Sequence, residues 1–275
     1  MSPLRTAQSV GLKRLYRYEE FNPQHFADVL TERRVHLSDP RTVNDPWDCR
    51  PWFSEKTIDD IAEFEFELFV DFLFSAKGAK WTSPSERDAF KASYRCDLNA
   101  RRSLFRQFCE NFQAYIPERW KILCLTSVPD STLMWSHYAD HHRGVCLEFS
   151  PNGVLGAAMQ VEYRESYPLW SPHTSSQSGL NEILLTKSAD WSYEHEYRLI
   201  GFGGQARPDW PNNPLQLDGD FLPLPSGALE SVIVGCEAPV SAVSRIAREF
   251  DPGLTIKRMV RAPNRYKLEM EEVVL

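Results

Sequence analysis

The chain has 275 residues, enough to bury a substantial core as one large domain or as one domain carrying an insertion. Hydrophobic residues make up 42% and charged residues 25%, and the formal net charge is -7, so no overall basic field advertises nucleic acid or an anionic membrane. The opening residues lack the apolar stretch of a signal peptide and nothing approaches the apolar length of a membrane span, so the expected location is cytoplasmic, with no membrane partner.

Taken in chain order, Leu12 to Tyr18 reads as a short first strand, with Lys13, Leu15 and Arg17 on one face. Asn22 offers an N-cap, Pro23 suits the first helical position, and a helix follows to about Arg34. Val35 to Leu37 is a second strand, and residues 38–52, dense in Pro, Asp and Asn, form a loop. Thr57 opens an acidic, aromatic segment whose middle alternates like a strand but whose length and caps favour a helix. Ser83-Pro84-Ser85-Glu86 starts another helix, which runs through Arg101 and Phe108 toward Tyr115. The two make a helical insertion at about 56–116.

Beyond it, Trp120 to Thr126 reads as a buried strand. Asp130 or Ser131 caps a helix carrying Met134, Trp135 and Tyr138; Gly144 breaks it, and Val145 to Phe149 is a strand. Met159 to Tyr163, Tyr193 to Ile200, Ser231 to Val234 and Leu254 to Met259 complete the sheet. Val240 to Phe250 is a helix between the last two, and Gly203 to Pro225 is a long surface loop. Helices and strands interleave only in part. The expected class is therefore α+β: a central mixed or antiparallel sheet with flanking helices and a helical insertion, in a single domain over 1–275.

Three clusters carry candidate chemistry. In the first, alternation from Lys187 to Ile200 puts Glu194, Glu196 and Arg198 on one strand face and His195, Tyr197 and Leu199 on the other. Two carboxylates and a guanidinium fill a core poorly unless paired and hydrogen-bonded. The plain reading is a half-exposed strand with a surface ion pair; the sharper one is a set of charges turned into a cleft walled by Trp191, Tyr193 and Tyr197. The second cluster is Asn44-Asp45-Pro46-Trp47-Asp48, which suits either a rigid Asx turn or a ligand contact. The third runs from Leu133 to Phe149, with Trp135, His137 and Tyr138 on one helix. His137 and His141 have i,i+4 spacing, but Tyr138 follows His137 where a zinc protease helix has Glu, so no metal site is expected.

Arg17, between Tyr16 and Tyr18, is either a solvated basic edge or an anion clamp, with Lys187 as a second positive charge near the same anion. Walker, dinucleotide-fold and serine-hydrolase glycine motifs are absent. The six cysteines, Cys49, Cys96, Cys109, Cys124, Cys146 and Cys236, form no C-x-x-C pair and are expected reduced and mostly buried.

Together the clusters resemble a bacterial family of unknown function, DUF2971. The carrying residues are Tyr16-Arg17-Tyr18, Asn44-Asp45-Pro46-Trp47-Asp48, Met134-Trp135-Ser136-His137-Tyr138-Ala139 with Gly144, and Lys187 and Trp191 with Glu194, Glu196 and Arg198. Val43, Trp47 and Leu125-Thr126 depart from the family's usual Phe, Phe and Phe-Ser. The order of motifs also resembles, at fold level, the ADP-ribosyltransferases. That resemblance implies an NAD-utilising transferase or glycohydrolase: Glu196 as catalytic carboxylate with Glu194 beside it, His137 and Tyr138 in the active site, and Arg17 on the pyrophosphate. Thr126 or Tyr138 would line the nicotinamide pocket, and Tyr16, Asn44, Asp45, Trp135, Lys187 and Arg198 would complete the cofactor site. It implies a small nucleotide ligand and leaves a protein or nucleic-acid acceptor open; a setting in bacterial stress or phage defence is a separate expectation that no residue carries. On this reading Glu196→Gln abolishes activity and leaves the fold intact. Two alternatives stand beside it. One is a nuclease or phosphodiesterase with magnesium on Asp45, Asp48, Glu194 and Glu196; the other is a non-catalytic ligand-binding module.

Overall fold

A computed structural model describes residues 4–75, 83–169, 177–202, 215 and 217–273. Among these, eight strands form one mixed sheet in the order β12-β11-β10-β4-β1-β3-β8-β5. Its centre is β1 (Leu15–Glu19), β3 (Trp120–Thr126), β4 (Val145–Phe149) and β8 (Glu196–Phe202), all antiparallel to their neighbours. β10 (Leu229–Val234) joins β4, and β11 (Thr255–Arg261) lies parallel to β10 after α8 (Val240–Phe250). β12 (Leu268–Glu272) closes one edge and β5 (Met159–Gln160) the other. The sheet is the mixed alternative of the sequence expectation.

Alternation along each strand decides which layer its side chains enter. Leu15, Leu123, Leu125, Leu147, Tyr197, Leu199 and Val232 face one way, into a core with Phe26, Val29 and Leu30 of α1 (Pro23–Glu32) and Val243 and Ile246 of α8. Asn22 caps α1 by accepting the His25 N–H at 3.0 Å, with Pro23 next, as the sequence indicates. On the opposite face are two separate apolar layers. One packs Tyr16, Tyr18, Cys146, Ile233 and Met259 under α6 (Thr132–Tyr138). The other packs Trp120, Ile122, Ile200 and Phe202 against the helical insertion.

That insertion comprises α2 (Glu55–Asp60), a π turn (Ile61–Glu65), α3 (Phe66–Ser75), α4 (Pro84–Tyr94) and α5 (Leu98–Arg119). Asp97 restarts the helix where one continuous helix was expected, accepting the Ala100 N–H at 2.9 Å. The block shares its core with the sheet and with α7 (Gln177–Leu185), a helix the sequence reading left out.

The expected surface loop 203–225 is corrected within the described residues, while positions 203–214 and 216 lie outside them. Phe221–Pro223 is a strand, β9, paired with β2 (Arg34–His36), because Leu222 is needed in the core beside Val35. The expected strand Met159 to Tyr163 divides: β5 stays on β8, while β6 (Glu162–Arg164) runs parallel to β7 (Thr186–Ser188). β12 was not expected either, since four of its five residues are exposed and three of those are glutamates. All six cysteines are free thiols; Cys49, Cys109 and Cys146 are buried and Cys96 is exposed.

Two departures from regular pairing shape the site. β1 and β3 are in register at Tyr16–Thr126 alone, and Ser38 takes the place beside β3, exchanging backbone bonds of 2.7 and 3.0 Å with Ile122. The central sheet is therefore parted between two of its strands. The second departure lies before β8. The expected strand from Tyr193 does not form there: Ala189–Glu194 is a 3-10 turn, and His195, at φ 45°, is left-handed.

Candidate functional site

A cleft of about 380 Å³ opens where the sheet is parted, on the face between the α6 layer and the insertion. Its lining includes Tyr16, Arg17, Asn44, Thr126, His137, Tyr138, Lys187, Glu194, Glu196 and Arg198, ten of the twelve candidates, brought together from five separate stretches of chain. Asp45 and Trp135 are the other two.

The floor is a charge cluster on β7 and β8. Arg198 is 0% exposed, and its guanidinium is fully occupied. Nε and Nη2 donate to the two oxygens of Glu196 at 2.7 and 2.9 Å, and Nη1 and Nη2 donate to the two oxygens of Asp48 at 2.8 and 2.5 Å. Nη1 also reaches the Leu184 carbonyl at 2.9 Å. Such forked pairing suits a buried carboxylate and explains how this charge is tolerated inside the protein. Arg198 is thus a clamp between two acids, and it offers no open fork to an anion. Lys187 donates to Glu194 at 2.5 Å, lies 3.5 Å from Glu196 and 3.9 Å from Asp48, and sits over the Trp191 ring at 4.9 Å.

Glu194 reaches this cluster from the 3-10 turn, so the expected strand is corrected at that point, while Glu194, Glu196 and Arg198 still line one cleft. The left-handed His195 resets the alternation, both acids point inward, and His195 itself is exposed rather than sharing a face with Tyr197 and Leu199. Thr126 pins the turn by donating its hydroxyl to the Glu194 carbonyl at 2.5 Å and accepting the Val128 N–H at 3.1 Å. The Glu194 carboxylate accepts the Tyr138 hydroxyl at 2.5 Å, and Asn44 donates to that hydroxyl at 2.8 Å. His137 Nδ1 is 3.0 Å from the Tyr193 hydroxyl at the rim.

Electrostatics separate the two acids. Burial acts to raise Glu196, but the adjacent Arg198 and Lys187 charges outweigh it and hold the carboxyl down at about 2. For Glu194, burial and the charge of Glu196 prevail over Lys187 and raise the carboxyl above its ordinary value. Burial, followed by the Glu194 charge, raises the Tyr138 phenol, so this group stays a donor. Three acids, Asp48, Glu194 and Glu196, face two bases, Lys187 and Arg198. The cluster is neutral when Glu194 holds a proton and carries one negative charge when it does not.

Arg17 enters through the parting between β1 and β3. Its Nε pairs with Glu19 at 2.7 Å and its Nη1 donates to the His36 carbonyl at 2.7 Å. An anion here would compete with Glu19 for the guanidinium. Trp135 is 0% exposed and lies beneath the cleft, edge-on to Tyr18 at 5.0 Å, with its indole N–H on the Pro129 carbonyl at 2.8 Å. It supports the site from the core and does not line it. Asp45 forms the expected Asx turn, accepting the Trp47 N–H at 2.9 Å, and faces another cavity. His141, at φ 53°, is outside α6, so the i,i+4 histidine pair is not on one helix.

Asp48, read from the sequence only as part of the turn cluster and as a magnesium ligand of the alternative, is the central partner of Arg198 on the cleft floor. Its signal lay in the buried charge of Arg198, which demands more carboxylate than Glu196 alone supplies. Cys124, beside Glu196 on the cleft floor, was missed because a lone cysteine in an apolar strand carries no mark of its role. Among the described residues, no group of three or more His, Cys, Asp or Glu is arranged to hold a metal ion, and no helix is long and apolar enough to cross a membrane.

Comparison with curated proteins and with solved structures gives no match. Residues 134–199, the stretch that holds most of α6 and Lys187, Glu194, Glu196 and Arg198, match the family model described as Protein of unknown function (DUF2971), which supports the chain's likeness to that family.

Proposed function

We propose that the cleft binds a dinucleotide of the NAD type and cleaves its nicotinamide–ribose bond, passing the ADP-ribosyl group to an acceptor or to water. The observation that carries this reading is the pair of adjacent buried carboxylates, Glu194 and Glu196, displaced to opposite sides of the ordinary carboxylate range. Cleavage of the bond between ribose C1′ and the nicotinamide nitrogen sends the bonding electrons to the pyridinium and builds positive charge on the ribose. Glu196, fixed on both oxygens by Arg198, is an acid that need not reorganise as that charge appears. With Glu194 ionised the cluster has its single negative charge. Glu194 then takes the proton from the incoming nucleophile as the new bond to C1′ forms. Tyr16, Tyr138 and His137 offer rings against a planar leaving group, and Arg17 exchanges Glu19 for the diphosphate.

The test combines melting with and without NAD, since a ligand binding only the native state raises Tm, with chromatographic detection of free nicotinamide. Because Glu196 is buried against Arg198, Glu196→Gln perturbs the fold as well as the chemistry. Glu194→Gln is the cleaner variant: its neutral form is already favoured by burial. The wild type is expected to release nicotinamide and Glu194→Gln to fold and release none. Arg17→Ala is expected to weaken NAD binding with turnover at saturation less affected. Absence of both a melting shift and nicotinamide defeats the reading, and magnesium-dependent cleavage of nucleic acid would replace it with the nuclease.

A further inference from the structure

A second cavity, of about 260 Å³, shares Asp48 and Lys187 with the cleft but is lined otherwise by the Asp45 turn, the segment after β6 and the turn after β7. Asp45 is 1% exposed. Its Oδ1 accepts the Trp47 N–H, while its Oδ2 is buried with no hydrogen-bond partner. A buried carboxylate oxygen left in that condition calls for a donor.

The charges around it define the donor's sign. Arg164 is occupied by Glu162 and Glu182, and Lys187 by Glu194; Asp48 is held by Arg198. Among the described residues, Asp45, Glu165 and Asp190 remain on the lining without a basic partner. Trp47, 64% exposed, and Tyr167 add aromatic rings to the same wall, and ring faces attract cations. The volume lies below the usual range for sites that enclose whole ligands, which suits a single small head group rather than a nucleotide. A metal ion is disfavoured because no set of three ligating side chains is arranged for one among the described residues.

We propose that this cavity is a binding site for an organic cation bearing N–H donors, an ammonium or guanidinium group, which bonds Asp45 Oδ2. The inference stands on Asp45 and its surroundings and is independent of what the larger cleft binds.

Calorimetric titration of the whole protein with agmatine, putrescine and tetramethylammonium, at matched ionic strength, tests it. Agmatine and putrescine are expected to bind, and tetramethylammonium, which has charge but no N–H, at least about tenfold more weakly. Asp45→Asn keeps an oxygen for the Trp47 N–H and removes the charge, so it should weaken both binders by about tenfold or more. No binding of either amine at millimolar concentration, equal binding of tetramethylammonium, or undiminished affinity in folded Asp45→Asn would each overturn the proposal. Should Asp45→Asn fail to fold, the wild-type comparison of putrescine with tetramethylammonium still decides.

Discussion

Replacing Arg198 with methionine removes the buried cation and keeps much of its length. Asp48 and Glu196 are then left in the interior with Lys187, among the described residues, as the cation beside them. Breaking a buried pair by removing one partner costs roughly 3–5 kcal/mol. A separate route gives a similar figure: a carboxyl held down at about 2 instead of 4.5 contributes about 3 kcal/mol to stability at neutral pH. The sign follows from the depression. Glu196's contribution is present above the unfolded carboxylate range and is lost as pH falls toward 2. In Arg198→Met the Glu196 carboxyl takes up a proton more readily, so the cost should be large near neutral pH and smaller near pH 4, where it can be neutral. Urea unfolding with unchanged m measures it, and Tm should fall by roughly 6–20 °C near neutral pH. Adding Asp48→Asn and Glu196→Gln should recover much of the loss, because a neutral buried set leaves no uncompensated charge. A cost below about 1 kcal/mol, or the same cost at both pH values, would refute the view that Arg198 is a clamp between two acids.

Three further outcomes follow from the same geometry. Tyr138→Phe deletes the hydroxyl that holds Glu194 down, so the acid limb of any nicotinamide-release profile should move to higher pH, read from rates across the carboxylate range, with a stability cost of about 1 kcal/mol. Trp135→Phe keeps an edge-on ring for Tyr18 but leaves the Pro129 carbonyl unpaired; it should lower stability by about 1–3 kcal/mol in denaturant melts while ligand affinity of the folded variant stays unchanged. Gly144→Ala would place a methyl carbon 2.2 Å from the Glu19 carbonyl oxygen, with Ala139 backbone also closer than 3 Å, so a loss of at least about 1–3 kcal/mol is expected by the same melts.

Much of the framework was legible in the residues because its signals are local. Trp120–Thr126, Val145–Phe149 and Val240–Phe250 have the limits read from the sequence, each set by apolar pattern and a turn residue at its end. What failed depended on tertiary context. Nothing in the run from Tyr193 to Ile200 announces that His195 turns left-handed; the strand pattern continues unbroken through it, while Ser188 caps the 3-10 turn and Lys187 and Thr126 bond Glu194. β9 hides in a Pro-rich stretch because only two apolar residues mark it. The convergence of Arg17, Asn44, Tyr138 and Glu194 was anticipated as a set of motifs, but the partners within it were not. That Glu19 and His36 already hold Arg17, or that Asp48 completes the Arg198 pair, depends on distances between stretches up to 150 residues apart.

The two acids at the floor ride on different kinds of backbone. Glu196 is locked into the hydrogen-bond ladder of a central strand, whereas Glu194 hangs from a short turn secured chiefly by one threonine hydroxyl and two side-chain contacts. The distance between the two charges is thus set by how that turn is seated against Thr126, Tyr138 and Lys187, and not by the register of the sheet.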